Sequence, residues 1–189
     1  HQEVDQGVVG TTFKNKGYEG RIESHHAKWG GLDGLFGLQF ADTTFSALGS
    51  EALVPETDTQ SAAVFFLENW KVTAPLTLSL GGRVERTSYS PNRLNNPRFA
   101  NVEDRDFFAG SGSLGAVYQL DPMWSATMNA SYTERAPTFY ELYANGPHAA
   151  TGQYLVGNQD AEKEKAVSTD LGLVFEHGAY RARTSVFYT

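Results

Sequence analysis

The donors that we predict to bind a metal ion in this sequence are His148, Glu3 and His1, with Asp5 and Glu141 as outer candidates. His148 lies in a long polar segment, directly after the turn-forming pair Gly146-Pro147. His1 and Glu3 are two residues apart, so both side chains point the same way on an extended chain. Imidazole and carboxylate groups bind Zn²⁺ when several converge, and they also suit copper, nickel and iron.

The remaining histidines are not predicted to bind a metal ion. His25 and His26 adjoin the predicted turn at 29–31 and are expected to be interfacial or structural, and His177 belongs to a tight turn and is expected to be solvated. A loop histidine such as His148 is also more often solvated than metal-bound. Because the sequence has no cysteine, disulfide frameworks and thiolate metal sites are excluded.

A β-strand is predicted directly before the segment that contains His148. Between residues 123 and 133, apolar side chains alternate with small polar ones, which gives a strand one apolar and one polar face. The alternation recurs at 76–85, 108–120 and 167–176. A soluble β-sandwich would turn the polar face to bulk water, whereas an outer-membrane barrel turns it to the lumen and the apolar face to lipid.

The order of short and long connections decides between these folds. Eight strands are predicted, at residues 17–28, 32–41, 61–72, 76–88, 107–120, 123–135, 166–176 and 179–188. Short turns at 29–31, 73–75, 121–122 and 177–178 alternate with long connections at 42–59, 89–106 and 136–165. Outer-membrane barrels have this arrangement, with the long loops outside the cell. We therefore predict an all-β fold, an antiparallel up-and-down transmembrane β-barrel.

Composition is compatible with a barrel. The 189 residues carry a formal net charge of −7 and a mean hydropathy of −0.39. No run approaches the roughly 20 apolar residues that cross a bilayer as a helix, whereas a barrel strand needs an apolar residue only at every second position. The acidic balance argues against nucleic acid as a partner. The sequence opens in a predicted loop and stops within a predicted strand, so we expect an excerpt of a larger barrel.

Two further sets of side chains are assigned by strand phase. Charged residues of the polar phase are predicted to form a ladder of cross-strand pairs in the lumen: Arg21, Glu23, Arg83, Glu85, Arg135, Asp170, Arg181 and Arg183. Aromatic residues of the apolar phase resemble a membrane-interface girdle: Trp124, Tyr132, Phe175, Tyr180 and Tyr188.

The run Arg135-Ala-Pro-Thr-Phe-Tyr-Glu-Leu-Tyr143 resembles the late-barrel signature of TonB-dependent outer-membrane receptors. The segments 65–72 and 80–85 look like the strand, turn and strand unit of the same family. Within it, residues 143–152, 156–158 and 162–165, together with 45–49 and 52–55, are similar to the zinc-uptake receptor branch. The resemblance implies a barrel of roughly 22 strands, of which residues 1–189 form a part without the N-terminal plug.

The resemblance also implies a function. It implies an outer-membrane receptor of a Gram-negative bacterium for TonB-dependent uptake of a metal, first of all zinc, bound at the extracellular mouth. The implied partners are outer-membrane lipid, the TonB–ExbB–ExbD complex acting through the plug, and a metal ion or metal chelate as cargo. No permanently bound cofactor is expected.

Other functions stay open at this point. A siderophore or haem receptor would share every barrel feature, and Phe139, Tyr140, Tyr143 and Tyr154 are compatible with a bulkier organic ligand. A passive pore or an adhesin barrel would share the strands and loops but not the signature. We expect no enzyme, because no motif ties the available serine, aspartate and histidine residues of the loops into a catalytic group.

Overall fold

The computed structural model describes residues 2–5, 8–49, 52–94, 96–148 and 152–189, with side chains from residue 11 onward. Nine of the described strands form one antiparallel sheet in the order β1-β2-β3-β4-β5-β6-β7-β10-β11. They are β1 (Gln2–Asp5), β2 (Val8–His25), β3 (Leu32–Leu48), β4 (Thr57–Lys71), β5 (Leu76–Pro91), β6 (Arg105–Gln119), β7 (Trp124–Arg135), β10 (Glu164–His177) and β11 (Tyr180–Tyr188). The all-β, up-and-down prediction is therefore confirmed.

The remaining elements lie between β7 and β10 and between β5 and β6. A short helix α1 (Phe139–Tyr143) is followed by a separate hairpin of β8 (Asn145–His148) and β9 (Gln153–Val156). One turn of 3₁₀ helix, Pro97–Phe99, follows β5. Among the described residues, no helix combines the length and the apolar character needed to cross a membrane.

The sheet has the two faces that the alternation predicts. Phe36, Leu38 and Phe40 of β3 remain 57%, 55% and 49% exposed on what we name the lipid face. The opposite, lumen face carries the polar phase of the same strands, including Arg21 and Arg83. The lipid-phase aromatics also contact one another, since the ring centroids of Trp124 and Phe175 are 4.9 Å apart.

The short turns are confirmed. Gly30, Gly31 and Gly178 have φ angles of 56°, 81° and 58°, in the left-handed region that favours glycine. At the turn between β6 and β7, Asp121 Oδ1 accepts hydrogen bonds from the backbone N–H groups of Met123 and Trp124, at 2.7 Å and 3.0 Å. These turns define the inner end of the sheet.

The predicted long connection at 42–59 is wrong, because β3 continues to Leu48 and β4 begins at Thr57. The ladder runs on through pairs such as Asp42 with Gln60 and Thr43 with Thr59. Both faces are polar in this stretch, so the period-two hydropathy signal disappears while the backbone hydrogen bonds continue.

The predicted loop at the start of the chain is also wrong. Residues 2–5 form β1, which pairs antiparallel with the first residues of β2, and the pairing shifts between Glu3 and Val4. Glu3 and Asp5 therefore lie on a strand. His1 lies outside the described residues.

The packed core sits at the outer end of the sheet rather than between sheet faces. Two clusters of buried residues combine strand ends with the connections 49–56, 92–104 and 136–163, which we name the outer cap. The largest fully buried side chains of the described residues include Tyr143, Phe99, Leu142 and Val54, all from the outer cap. The described residues of the outer cap thus form a packed layer at the outer end of the sheet.

Candidate ligand site in the outer cap

The signature run Arg135 to Tyr143 forms a strand end and a capped helix. Thr138 is the N-cap of α1: its side chain accepts from the N–H of Glu141 at 3.4 Å, and Glu141 Oε2 accepts from the N–H of Thr138 at 2.6 Å. This reciprocal pair is a capping box. Arg135 Nη2 also donates to Glu141 Oε1 at 3.0 Å. The signature therefore fixes the direction in which the chain leaves β7.

Glu141 stabilises the start of α1 in this arrangement. The backbone N–H of Thr138 and the guanidinium of Arg135 lower the pKa of Glu141 to about 2, so the carboxylate is ionised at neutral pH. Its oxygens are already engaged by the cap and the ion pair. The Thr-x-x-Glu spacing is a sequence signal for this role, whereas its role as a metal ligand stays a prediction.

The buried side of α1 joins the connection 136–163 to the connection 92–104. Tyr143 is 1% exposed and donates from its hydroxyl to the carbonyl of Glu103 at 2.8 Å. Burial raises the pKa of Tyr143 well above its usual range. Because Tyr143 is enclosed, the expectation that it faces an organic ligand is not supported by its position.

The exposed side of α1 contributes to a cluster of rings that we name the aromatic surface: Phe13, Phe45, Phe139 and Tyr140. The centroid of Phe45 lies 5.0 Å from that of Phe139, 5.5 Å from that of Tyr140 and 6.2 Å from that of Phe13. Tyr140 is 37% exposed, whereas Phe13, Phe45 and Phe139 are partly buried and pack against the core clusters. The exposed part of Tyr140, supported by these rings, can pack against a flat or conjugated ligand. No ligand contact is predicted for Phe13 or Phe45 from the sequence, although both lie on the polar phase of their strands.

His148 closes the strand β8 and pairs with Gln153 of β9. Its carbonyl accepts a hydrogen bond from the N–H of Gly152 at 2.9 Å, and Gly152 has a φ of 64°. The side chain of His148 is half-buried and has partners of its own. His148 is therefore the last residue of β8, and its backbone is bonded to Gly152 at the start of the returning chain.

Of the five predicted donors, the structure describes the side chains of His148 and Glu141 alone. Glu3 and Asp5 lie on β1, where only the backbone is described, and Glu141 is bound to Thr138 and Arg135. Within the side chains that the structure describes, no group of three or more His, Cys, Asp and Glu residues is arranged to hold a metal ion. The metal ligand set stays a prediction, with His148 its one member in the outer cap hairpin.

The lumen charges pair both across strands, as the predicted ladder requires, and along them. Arg21 pairs with Glu23 at 2.7 Å and Arg83 pairs with Glu85, each two residues away on the same strand and face. Two cross-strand pairs are Arg181 with Glu176, at 3.0 Å, and Arg135 with Glu164, at 2.9 Å. Same-strand pairs arise because residues i and i+2 share a face, which the sequence pattern also allows.

Gln39 makes the cross-strand link in this part of the lumen face. Its Oε1 accepts from Nη1 of Arg21 at 3.2 Å and from Nη1 of Arg83 at 3.0 Å. The guanidinium carbon of Arg21 also lies 4.1 Å from the ring centroid of Phe65. An amide, two cations and an aromatic ring thus join β2, β3, β4 and β5, which is a structural and not a catalytic arrangement.

His26 is structural, as predicted. Its Nδ1 lies 2.9 Å from the carbonyl oxygen of Ala27 and its Nε2 lies 2.9 Å from Glu68 Oε2. Both neighbours are acceptors, so this geometry is that of an imidazolium with a proton on each nitrogen. The hydrogen bond to Ala27 and then the bond to Glu68 raise the pKa of His26. The pair fastens the inner end of β2 to β4.

Comparison with known proteins places these features in context. A family model described as TonB dependent receptor-like, beta-barrel matches residues 4–189. The iron-regulated outer membrane virulence protein of Vibrio cholerae is 23% identical over 117 residues, which are 62% of this chain and 16% of that protein. The chain therefore spans a small part of the curated relatives that it matches.

Solved structures give the same fold. The copper transporter OprC superposes with a TM-score of 0.74 at 16% identity, over 94% of this chain and 29% of that one. The siderophore receptor PirA from Pseudomonas aeruginosa gives 0.54 at 17% identity, over 93% of this chain and 39% of that one. At such identities the likeness concerns the fold.

Proposed function

We propose a function from the premise that this chain belongs to the family of TonB-dependent receptor-like β-barrels. It is an outer-membrane barrel segment with an ordered outer cap. We propose that the complete receptor takes up a metal or a metal chelate bound under this cap. The observation that carries the proposal is the layer of three packed connections at the mouth, which presents an aromatic surface and an imidazole.

A metal-containing cargo is supported by the names of three similar proteins. One is named a copper transporter, one a siderophore receptor and one an iron-regulated outer membrane virulence protein. The first two names state a metal or a metal chelator as cargo, and the third states regulation by iron. A cap that combines imidazole with aromatic rings has the chemistry to recognise either a metal ion or its organic chelate.

Zinc is our first specific proposal. It rests on the resemblance of the loops to zinc-uptake receptors and on His148, which lies at the tip of the β8–β9 hairpin. Glu3 and Asp5 remain candidate partners, because β1 and the outer cap both lie at the outer end of the sheet. Imidazole with carboxylate is a ligand set that Zn²⁺ accepts without cysteine.

A metal chelate is the second candidate, and the aromatic surface favours it. Phe45, Phe139 and Tyr140 offer ring area that a bare ion does not need. Energy for either cargo would come from the TonB–ExbB–ExbD complex acting through a plug domain.

Uptake by the full-length receptor tests this function. A strain lacking its own zinc and ferric chelate receptors would express the full-length protein, and accumulation of labelled Zn²⁺ and of a labelled ferric siderophore would be followed with and without TonB. We expect TonB-dependent accumulation of Zn²⁺. Accumulation of the ferric siderophore alone would select the second candidate, and entry of both without TonB would indicate a passive pore and contradict the proposal.

A further inference from the structure

The three connections of the outer cap meet at one junction built around Arg98. Arg98 lies in the connection 92–104, and its Nη2 donates to the carbonyl of Ala52 in the connection 49–56 at 2.8 Å. Its Nη1 donates to the carbonyl of Asn145 in the connection 136–163 at 3.2 Å. A planar guanidinium can hold two such acceptors in a fixed fork, whereas an ammonium group cannot. One side chain thus joins all three connections.

Asn145 completes the junction from the other side. Its Nδ2 donates to the carbonyl of Arg98 at 3.1 Å, and its backbone N–H donates to the carbonyl of Leu53 at 2.8 Å. Its Oδ1 accepts from the hydroxyl of Tyr154 at 2.9 Å, which ties β8 to β9. Asn145 is the first residue of β8, so the base of the hairpin is bonded to both neighbouring connections.

Gly146 shows how closely the junction is packed. A Cβ at this position would lie 2.8 Å from the carbonyl oxygen of Ala52 and 3.0 Å from Nη1 of Arg98. The chain therefore passes through a space that a side chain would fill. Two residues further on, β8 ends at His148.

We propose that Arg98 is a positioning residue that holds the β8–β9 hairpin, and with it His148, against the other two connections of the outer cap. Its relevance to binding rests on the proposed function, whereas its hold on the hairpin does not. The hairpin has a second anchorage at its base, where the N–H of Asn158 donates to the carbonyl of Glu141 at 2.8 Å. Loss of Arg98 should therefore loosen the hairpin without detaching it.

The chain offers a matched control in Arg93, which lies in the same connection as Arg98. Its Nε donates to the carbonyl of Val102 at 2.5 Å and its Nη2 donates to Asp104 Oδ1 at 2.6 Å. Both acceptors belong to the connection 92–104. Arg93→Gln, like Arg98→Gln, removes hydrogen bonds donated by a guanidinium group, but the two bonds of Arg93 described here stay within one connection.

Hydrogen exchange on the full-length receptor in detergent, without ligand, tests the proposal. We expect the amides of Asn145, Gly146, His148 and residues 153–156 to exchange about tenfold faster in Arg98→Gln, since hydrogen bonds from charged donors are lost. Arg98→Lys should recover part of the protection, because a charged donor group remains although the guanidinium fork is lost, and Arg93→Gln should leave the hairpin unchanged. Wild-type exchange in Arg98→Gln, or equal loosening in Arg93→Gln, would overturn it.

Titration of the same full-length variants with Zn²⁺ separates this proposal from the proposed function. We expect Arg98→Gln to weaken Zn²⁺ binding about tenfold and Arg93→Gln to have no effect. A loosened hairpin with unchanged Zn²⁺ affinity would support the role of Arg98 in holding the hairpin and would remove His148 from the zinc proposal. A hairpin that stays protected overturns the role of Arg98 whatever the zinc result.

Discussion

In the outer cap Phe99, Leu142 and Tyr143 are each 1% exposed, whereas on the lipid face Phe36, Leu38 and Phe40 stay about half exposed. The outer cap is stabilised as the interior of a water-soluble domain is, by packing apolar side chains away from water. The sheet below it is stabilised by its backbone ladder and by lipid contact. The outer cap thus faces water and the lipid face of the sheet faces lipid, so the same substitution should change stability by different amounts in the two regions.

The largest expected effect is the loss of stability when a phenylalanine of the outer cap is replaced by alanine, compared with the same replacement on the lipid face. Phe99→Ala should destabilise the outer cap by about 3 to 5 kcal/mol, because it leaves a cavity that protein cannot fill. Phe108→Ala, at a position that is 63% exposed on the lipid face, should cost much less, because lipid occupies the space. Limited proteolysis of the full-length receptor in bilayers would report cleavage within residues 92–104 for the first variant alone. Equal resistance of the two variants would contradict the distinction.

The second expected effect concerns the sheet, where an introduced charge should destabilise the lipid face and not the lumen face. Met128→Arg puts a cation on the lipid face of β7 and should destabilise the barrel by about 2 to 4 kcal/mol. Asn129→Arg puts the same cation on the lumen face of the same strand and should be close to neutral. Denaturant unfolding of the full-length receptor in vesicles measures both. Similar losses at 128 and 129 would mean that the two faces of β7 are wrongly assigned.

A smaller effect concerns α1. Glu141→Ala should lower the stability of the helix start by about 1 kcal/mol, because the capping box is lost. Glu141→Gln keeps the box and should lose less. Because the folded pKa is lowered from 4.5 to about 2, the stabilisation by Glu141 is present above the ordinary value and is lost as pH falls toward about 2. Hydrogen exchange at residues 139–143 would measure it, and identical exchange in both variants would contradict the cap.

The smallest expected effect is a pH-dependent protection of the turn at 27–31, at the inner end of the sheet. His26 has a raised pKa, so its bond to Glu68 should protect the turn at 27–31 below about pH 6.5 and lose this effect as pH rises through the folded pKa. Hydrogen exchange of that turn should therefore accelerate with pH beyond the intrinsic base dependence. In His26→Asn the extra pH dependence should vanish, and its persistence would show that another group titrates. The charged groups near His26 are Glu68 on β4 and Asp33 on β3, the latter paired with Lys28 at 3.2 Å.

The strands of the sheet are well predicted from the sequence, because lipid on one face and the lumen on the other impose a period of two on the side chains. The prediction stops where that cause stops: around Asp42 and Thr43 both faces are polar, and the outer halves of β3 and β4 look like a loop. Cap packing has no such period. Phe99 and Tyr143 pack in one cluster and Val54 and Ala144 in the other, and in each case the two residues come from connections that are far apart in sequence.

The candidate site shows the same limit at single residues. His148 and Glu141 are both candidate metal ligands by residue type, yet the Thr-x-x-Glu spacing assigns Glu141 to a capping box. The aromatic surface combines α1 with Phe13 and Phe45 from strands that are not its sequence neighbours. The junction at Arg98 joins three connections and could not be read from any one of them.

The central claim is that the outer cap, through His148, holds the cargo. Calorimetric titration of the full-length receptor with Zn²⁺ tests it most directly, with His148→Ala compared with His177→Ala, since His177 is the last residue of β10 at the inner end of the sheet. We predict that His177→Ala binds as the wild type does and that His148→Ala binds at least about tenfold more weakly. Unchanged Zn²⁺ affinity in His148→Ala would contradict the claim.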